Sequence, residues 1–157
     1  MSDPIQVSLL VNGYAMSVTT DPTAPLLDVL RGTLGITGAR YGCGAEHCGA
    51  CLVLIDGTPA YACSREIGML AGRAVTTVEG LGTPATPHPI QTAMLAEQAG
   101  QCGYCLSGMQ IAAAALLARN PAPSRAEIAE ALDGNLCRCG AHPRILAAVA
   151  QAAVAMR

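Results

Sequence analysis

Eight cysteines fall into two sets of four, and their spacing is where chemistry enters this sequence. Cys43, Cys48, Cys51 and Cys63 read C-x4-C-x2-C-x11-C, while Cys102, Cys105, Cys137 and Cys139 read C-x2-C-x31-C-x-C, with none left over. Three kinds of chemistry use four thiols. Disulfides belong to oxidising compartments and small exported domains. The opening Met1-Ser2-Asp3-Pro4 lacks a basic segment leading into an apolar run, so no export leader is expected. Structural zinc sites usually pair two short knuckles, whereas the first set offers one C-x2-C, a C-x4-C and a fourth cysteine that arrives alone. C-x4-C-x2-C followed by a distant cysteine is the spacing of plant-type [2Fe–2S] ferredoxins. Iron–sulfur ligation is the preferred reading, with zinc and disulfides kept as alternatives.

The residues between the first three thiols favour the same choice. An oxidised [2Fe–2S] centre with four thiolates is a dianion, and burying it requires N–H groups aimed at sulfur. Gly42, Gly44 and Gly49 are interleaved with Cys43, Cys48 and Cys51. They let the loop curl and bring its amides close. Two histidines in place of two cysteines would make a Rieske centre. Four cysteines already complete each set, so His47, His88 and His142 are read as non-ligands.

The elements that must position these thiols follow from periodicity. Ile5, Val7, Leu9 and Val11 alternate as in a half-buried strand, Asn12-Gly13 is a hairpin signal, and residues 14–20 alternate back. Pro25 opens a short helix through Leu26-Leu27-Asp28-Val29-Leu30. Further strands are expected at 52–55, 60–63 and 74–78, on either side of the turn Asp56-Gly57. After Gly80-Leu81-Gly82 and the Pro-rich stretch 83–89 the strand residues vanish and alanine dominates. Ile90, Met94, Leu95 and Gln98 mark one helix, and Leu106, Met109, Ile111, Leu116 and Leu117 a second, ended by Asn120-Pro121. Ser124 and Glu127 form a capping box for a third helix running to about Leu132, and residues 143–156 form a fourth. Cys102 and Cys105 then lie at the start of the second helix, where the macrodipole favours an anion. Cys137-Arg138-Cys139-Gly140 should be a loop, because one intervening residue lets two side chains point the same way only from extended or turning chain.

The expected class is α+β. A β-grasp ferredoxin-like domain (1–79) holds the first set, and an all-α four-helix-bundle domain (80–157) holds the second. With Phe and Trp both 0, the cores must be built from Ala, Leu, Ile, Val and Met. A net charge of −2, with nine Arg and no Lys, argues against nucleic acid as a partner. Mean hydropathy is +0.39. The longest apolar run, residues 111–118, is nonetheless far short of the roughly 20 residues a membrane span requires. No phosphate-binding glycine motif or nucleophile–base pairing is present, and Gly80-Leu81-Gly82 lacks the third glycine of a dinucleotide fingerprint.

Three motifs, Tyr41-Gly42-Cys43-Gly44 through Cys51, Gln101-Cys102-Gly103-Tyr104-Cys105 and Asn135-Leu136-Cys137-Arg138-Cys139-Gly140, resemble the small iron–sulfur subunit of the molybdenum hydroxylases, the xanthine oxidase family, and the resemblance spans essentially the whole chain. It implies two [2Fe–2S] clusters, the second nearest a molybdopterin cytosine dinucleotide on a large partner subunit, with Gln101 hydrogen-bonding the pterin. It implies an oxidoreductase subunit with no substrate site of its own, passing electrons singly to an external acceptor. Cys139-Gly140-Ala141-His142 looks more like the isoquinoline, nicotinate and bacterial aldehyde group, which uses c-type cytochromes, than like the Thr-Gly-Tyr ending of flavin-linked relatives. The substrate would be an N-heteroaromatic ring or an aldehyde. Cluster insertion points to cytoplasmic assembly, with any export or membrane association supplied by partner subunits. A free-standing ferredoxin-like carrier and a zinc-stabilised interaction module are the competing functions.

Overall fold

In the computed structural model residues 3–157 are described; Met1 and Ser2, on which part of the leader reading falls, lie outside them. The alternation at the start of the chain becomes β1 (Ile5–Val11), which buries Val7, Leu9 and Val11, paired antiparallel with β2 (Tyr14–Thr20). Asn12 and Gly13 both sit in the left-handed region, at φ 52° and 84°, as a two-residue hairpin turn demands. β3 (Leu52–Ile55), β4 (Thr58–Tyr61) and β5 (Ala74–Thr76) complete a mixed sheet in the order β2-β1-β5-β3-β4, in which only the β1–β5 pair is parallel.

Three boundaries differ from those expected. The fourth strand is 58–61 instead of 60–63, because the tight turn through Asp56 and Gly57 starts pairing at once, Ile55 against Thr58. Cys63 thereby leaves the sheet in a turn, with Ser64 N–H donating to Tyr61 O. The fifth strand stops at Thr76, and Val78–Gly80 forms a single 3-10 turn. The short helix α1 (Leu26–Asp28) widens into a π turn over Val29–Thr33. This places Leu26, Leu27 and Leu30 fully inside the sheet's core and leaves Arg31 free to donate to Thr37 O and Ala39 O at 2.7 and 2.8 Å. That grip leads the chain into the cysteine loop.

The other half is helical: α2 (Pro89–Ala96), α3 (Leu106–Arg119), α4 (Arg125–Ala131) and α5 (His142–Ala155). They share a core around Ile90, Met109, Ile111, Ile128 and Ile145, with Ala148 and Ala152 allowing close approach of α2 and α5. α3 buries ten of its 14 residues because it also packs on β3 and β4. The second core is thus continuous with the back of the sheet, and Tyr61 touches both. Leu95 does not mark the buried face of α2. It is 80% exposed, and Ile90, Ala93 and Met94 face inward. The fourth helix begins one residue before the expected 143 and ends one before the expected 156.

Caps set two of these helices. Ser124 Oγ accepts Glu127 N–H and Glu127 returns the bond to Ser124 N–H, as the sequence pattern requires. The sequence pattern does not announce His88 in such a role. Its Nδ1 accepts Ile90 N–H at 3.2 Å and Gln91 Oε1 accepts His88 N–H at 2.9 Å. Burial lowers the His88 pKa below its ordinary 6.5. The unfolded chain therefore takes up a proton more readily, so the stability His88 contributes is present at neutral pH and lost as pH falls through about 6.5. His88→Asn, which keeps an acceptor at the cap, is expected to flatten the decline of thermal stability between pH 8 and 5, whereas His88→Ala should cost about 1 kcal/mol at pH 8.

Candidate metal centres

The first four thiols are assembled by one curled loop and the end of the β3–β4 hairpin. Gly44, Glu46 and Gly49 hold left-handed φ values of 68°, 60° and 73°. The curl turns the N–H groups of Ala45 and His47 onto Cys43 Sγ and that of Cys43 onto Cys48 Sγ, all at 3.3 Å. The Ala45 and His47 amides pull the Cys43 thiol down to about 6, despite its exposure. Cys51, at the buried end of the loop, shares a hydrogen bond with Cys63 and lies near Cys48, and burial pushes it up to about 12. Gly42 passes so close that a Cβ there would stand 2.6 Å from Cys48 Sγ.

The second four come from two turns at one end of the helices. Cys105 is the N-cap of α3, while Cys102 lies in the preceding loop and not on the helix, with Gly103 at φ 76° between them. Cys137 and Cys139 occupy the loop between α4 and α5. Cys105 hydrogen-bonds with Cys137 and lies near Cys102, and burial pushes it up to about 12. Cys102 and Cys139 sulfurs are 3.4 Å apart. Each predicted set is thus brought together.

The sets also face one another. A cavity of about 250 Å³ is lined by Cys43 and Cys48 from one side and by Cys102, Cys105, Cys137 and Cys139 from the other. Arg40 donates to Gly103 O and lies 5.3 Å over the Tyr104 ring, whose hydroxyl donates to Tyr41 O. Leu136 N–H donates to Cys48 O at 2.9 Å, and Asn135 Nδ2 to Gly49 O at 3.3 Å. Sequence reasoning missed these seam residues. Asn135 and Leu136 open the third motif, but no spacing rule says that the motif meets Cys48.

The donor sets fit [2Fe–2S] centres. Burial keeps Cys51 and Cys105 as neutral thiols in the absence of metal, and a bound cation would offset the cost of their thiolates. The thiols come as touching pairs, Cys43–Cys48, Cys51–Cys63, Cys105–Cys137 and Cys102–Cys139. Two thiols for each of two irons is the donor set of a [2Fe–2S] centre. The side chains of His47 and His142 are exposed, and His88 is occupied as a cap. Gln101, exposed in the loop before Cys102, lines a groove of about 680 Å³ with Met94, Leu95, Gln98 and Leu106.

Comparison with known proteins gives this geometry its place. Residues 9–74 match the 2Fe-2S iron-sulfur cluster binding domain, and residues 77–150 the [2Fe-2S] binding domain. A nicotinate dehydrogenase subunit of Pseudomonas putida is 51% identical over 151 residues, 96% of each chain. The alpha subunit of isoquinoline 1-oxidoreductase from Brevundimonas diminuta is 49% identical over 148 residues, 94% of this chain and 97% of that one. The chain belongs to the [2Fe–2S] subunits of the molybdenum hydroxylase family. Its fold matches a chain of quinoline 2-oxidoreductase from Pseudomonas putida 86 with a TM-score of 0.93 and 38% identity, over 99% of this chain and 96% of that one. As a member of that family it carries two [2Fe–2S] domains, and its cofactors are two [2Fe–2S] clusters.

Gly42→Ala places a methyl 2.6 Å from Cys48 Sγ, with Ala50 Cβ 3.5 Å away beside it. The variant is expected to retain about two irons and two acid-labile sulfides per chain in place of four and four, with the loss confined to one EPR species. Metal and sulfide analysis beside low-temperature EPR checks it.

Proposed function

We propose that this chain is the electron-transfer subunit of a molybdopterin-dependent hydroxylase. The observation that carries the reading is the shared cavity: Cys43 and Cys48 of the first set and all four thiols of the second open onto one space within a single chain. Cys43, Cys48, Cys51 and Cys63 would hold the first [2Fe–2S] centre. Cys102, Cys105, Cys137 and Cys139 would hold the second, the one nearer the molybdenum cofactor. Each bound centre accepts one electron, so the pair would separate the two electrons that a hydroxylation releases. The protein's part is to supply amide donors to sulfur at Cys43 and Cys48, to exclude water at Cys51 and Cys105, and to fix the two sets against each other.

The large partner subunit would hold a molybdopterin cytosine dinucleotide, met by Gln101 at the rim of its groove. Exposed Leu95, Tyr104 and Leu136 around the second set support a lasting interface there. For the next acceptor, Gly140-Ala141-His142 favours a c-type cytochrome over a flavin subunit. The printed names of the relatives, nicotinate, isoquinoline and quinoline oxidoreductases beside an Escherichia coli aldehyde oxidoreductase subunit, support an N-heteroaromatic or aldehyde substrate. We place the division at 79/80, with a β-grasp domain before it and a four-helix bundle after. We assign assembly to the cytoplasm, any later location depending on partners. Among the described residues no helix is long and apolar enough to cross a membrane.

Purification from the native host is expected to yield the chain in complex with a larger molybdopterin protein, with about four irons and four sulfides per copy. A lone 15.9 kDa species with full activity would replace this reading with that of a free carrier, and zinc without sulfide would replace it with an interaction module. Cys105→Ser should abolish turnover and one EPR species while the other persists; equal loss of both would refute the separate sets. Gln101→Ala should leave both centres loaded but slow their reduction by substrate, and an unchanged rate would remove the pterin contact.

A further inference from the structure

The two thiol sets belong to different cores, so their relation depends on what crosses the seam between them. Arg40 and Tyr104 cross it through long side chains and bond to Gly103 and Tyr41, neither of which carries a thiol. The crossing at Cys48 is of another kind. Leu136 N–H donates to the carbonyl of Cys48 itself at 2.9 Å, and Leu136 is bonded covalently to Cys137. One backbone hydrogen bond therefore joins a thiol-bearing residue of the first set to the neighbour of a thiol-bearing residue of the second.

Asn135 holds this crossing in place. It is 6% exposed, and its Nδ2 donates to the next carbonyl, Gly49 O, at 3.3 Å. Its Oδ1 is buried without a partner. Leaving a buried polar atom unpaired costs about 1–3 kcal/mol, so an apolar residue would be the cheaper filler if space were all that mattered. The room around the amide is cleared on two sides. A Cβ on Gly49 would overlap Asn135 Nδ2, and one on Gly108, in the first turn of α3, would overlap Gly49 O. Loop, helix and the Asn135 segment converge on one carbonyl, next to the one that Leu136 holds.

We infer that Asn135 is a positioning residue for electron transfer between the two centres: by gripping Gly49 O it fixes the Leu136 N–H···O=C Cys48 crossing, through which one electron at a time leaves the second centre and enters the first. No bond forms or breaks; the reductant is the reduced metal centre of the large subunit, and the oxidant is the external acceptor. The inference rests on the proposed function.

The test uses the intact complex with Asn135→Leu, which keeps the shape and removes the donor without adding charge, and with Asn135→Ser, which is too short to reach. Iron and sulfide content, the potential of each centre, the spin–spin splitting between the two reduced centres and freeze-quench transfer between them are measured. The expected result is full loading and unchanged potentials, with weakened splitting and transfer slowed by about tenfold, on the scale of positioning losses. Loaded variants with unchanged splitting and transfer would overturn the inference. Failure of both variants to load would overturn it too, since Asn135 would then build the sites and not couple them. A wild-type complex without iron would instead sink the function on which the inference rests.

Discussion

Negative sulfur inside protein must be met by N–H groups, and the N-terminal half is built around that demand. Two amides on Cys43 and one on Cys48 can point at sulfur only if the backbone between them turns left-handed, as it does at Gly44 and Glu46. Such a loop has little regular hydrogen bonding of its own, so its approach is held from outside. Arg31, released by the π turn, grips the carbonyls of Thr37 and Ala39. Glu79 accepts Gly38 N–H at 2.6 Å and the Thr77 hydroxyl at 2.5 Å, and Thr77 is bonded to Asn12 in the hairpin turn. The first turn of the sheet and the last turn of the domain thus hold the start of the cysteine loop between them.

The helical half answers the same demand differently. Its thiols gather where α3 begins and where α4 gives way to α5, so a 14-residue helix presents the positive end of its dipole to the site. α3 can serve as the central element because its small residues let sheet and helices approach it together. Gly108 is the extreme case: no side chain fits between it and the Gly49 carbonyl. A chain without Phe or Trp fills both cores with Leu, Ile, Val, Met and Ala, and the bulk of Tyr61 is placed at the seam, touching both.

Much of this was legible in the sequence where signals are local. The Asn12-Gly13 hairpin, the Ser124–Glu127 box and the C-x4-C-x2-C, C-x2-C and C-x-C clusters each depend on residues a few positions apart, and the fold keeps them. The π turn after Asp28 was not legible, because packing of Leu30 and the reach of Arg31 decide it and not propensity. Leu95 misled because an Ala-rich helix has no sharp polar face to contrast with its apolar one. His88 as a cap was hidden since histidine is a rare choice there, and Pro89 and Gln91 were the cues. The seam was the least legible: Cys48 meets Leu136 across 87 intervening residues, and no periodicity encodes such a contact.

The surroundings of the two sets differ in kind, and the difference orders them. Beside the second set Leu95, Tyr104 and Leu136 are exposed together with the uncharged amides of Gln98 and Gln101, and Arg138, between Cys137 and Cys139, is the exposed charge among them. Leaving these apolar groups in water is unfavourable, so this rim suits a surface that stays covered. Beside the first set Cys43 and His47 are exposed, and Glu46, which accepts the Ser64 hydroxyl, lies 3.9 Å from Arg65. A polar rim of mixed charge tolerates water between encounters and suits exchange with a partner that comes and goes. On the proposed function this difference would give the relay its direction, electrons entering at the rim richer in apolar side chains and leaving where the polar loop carries Cys43.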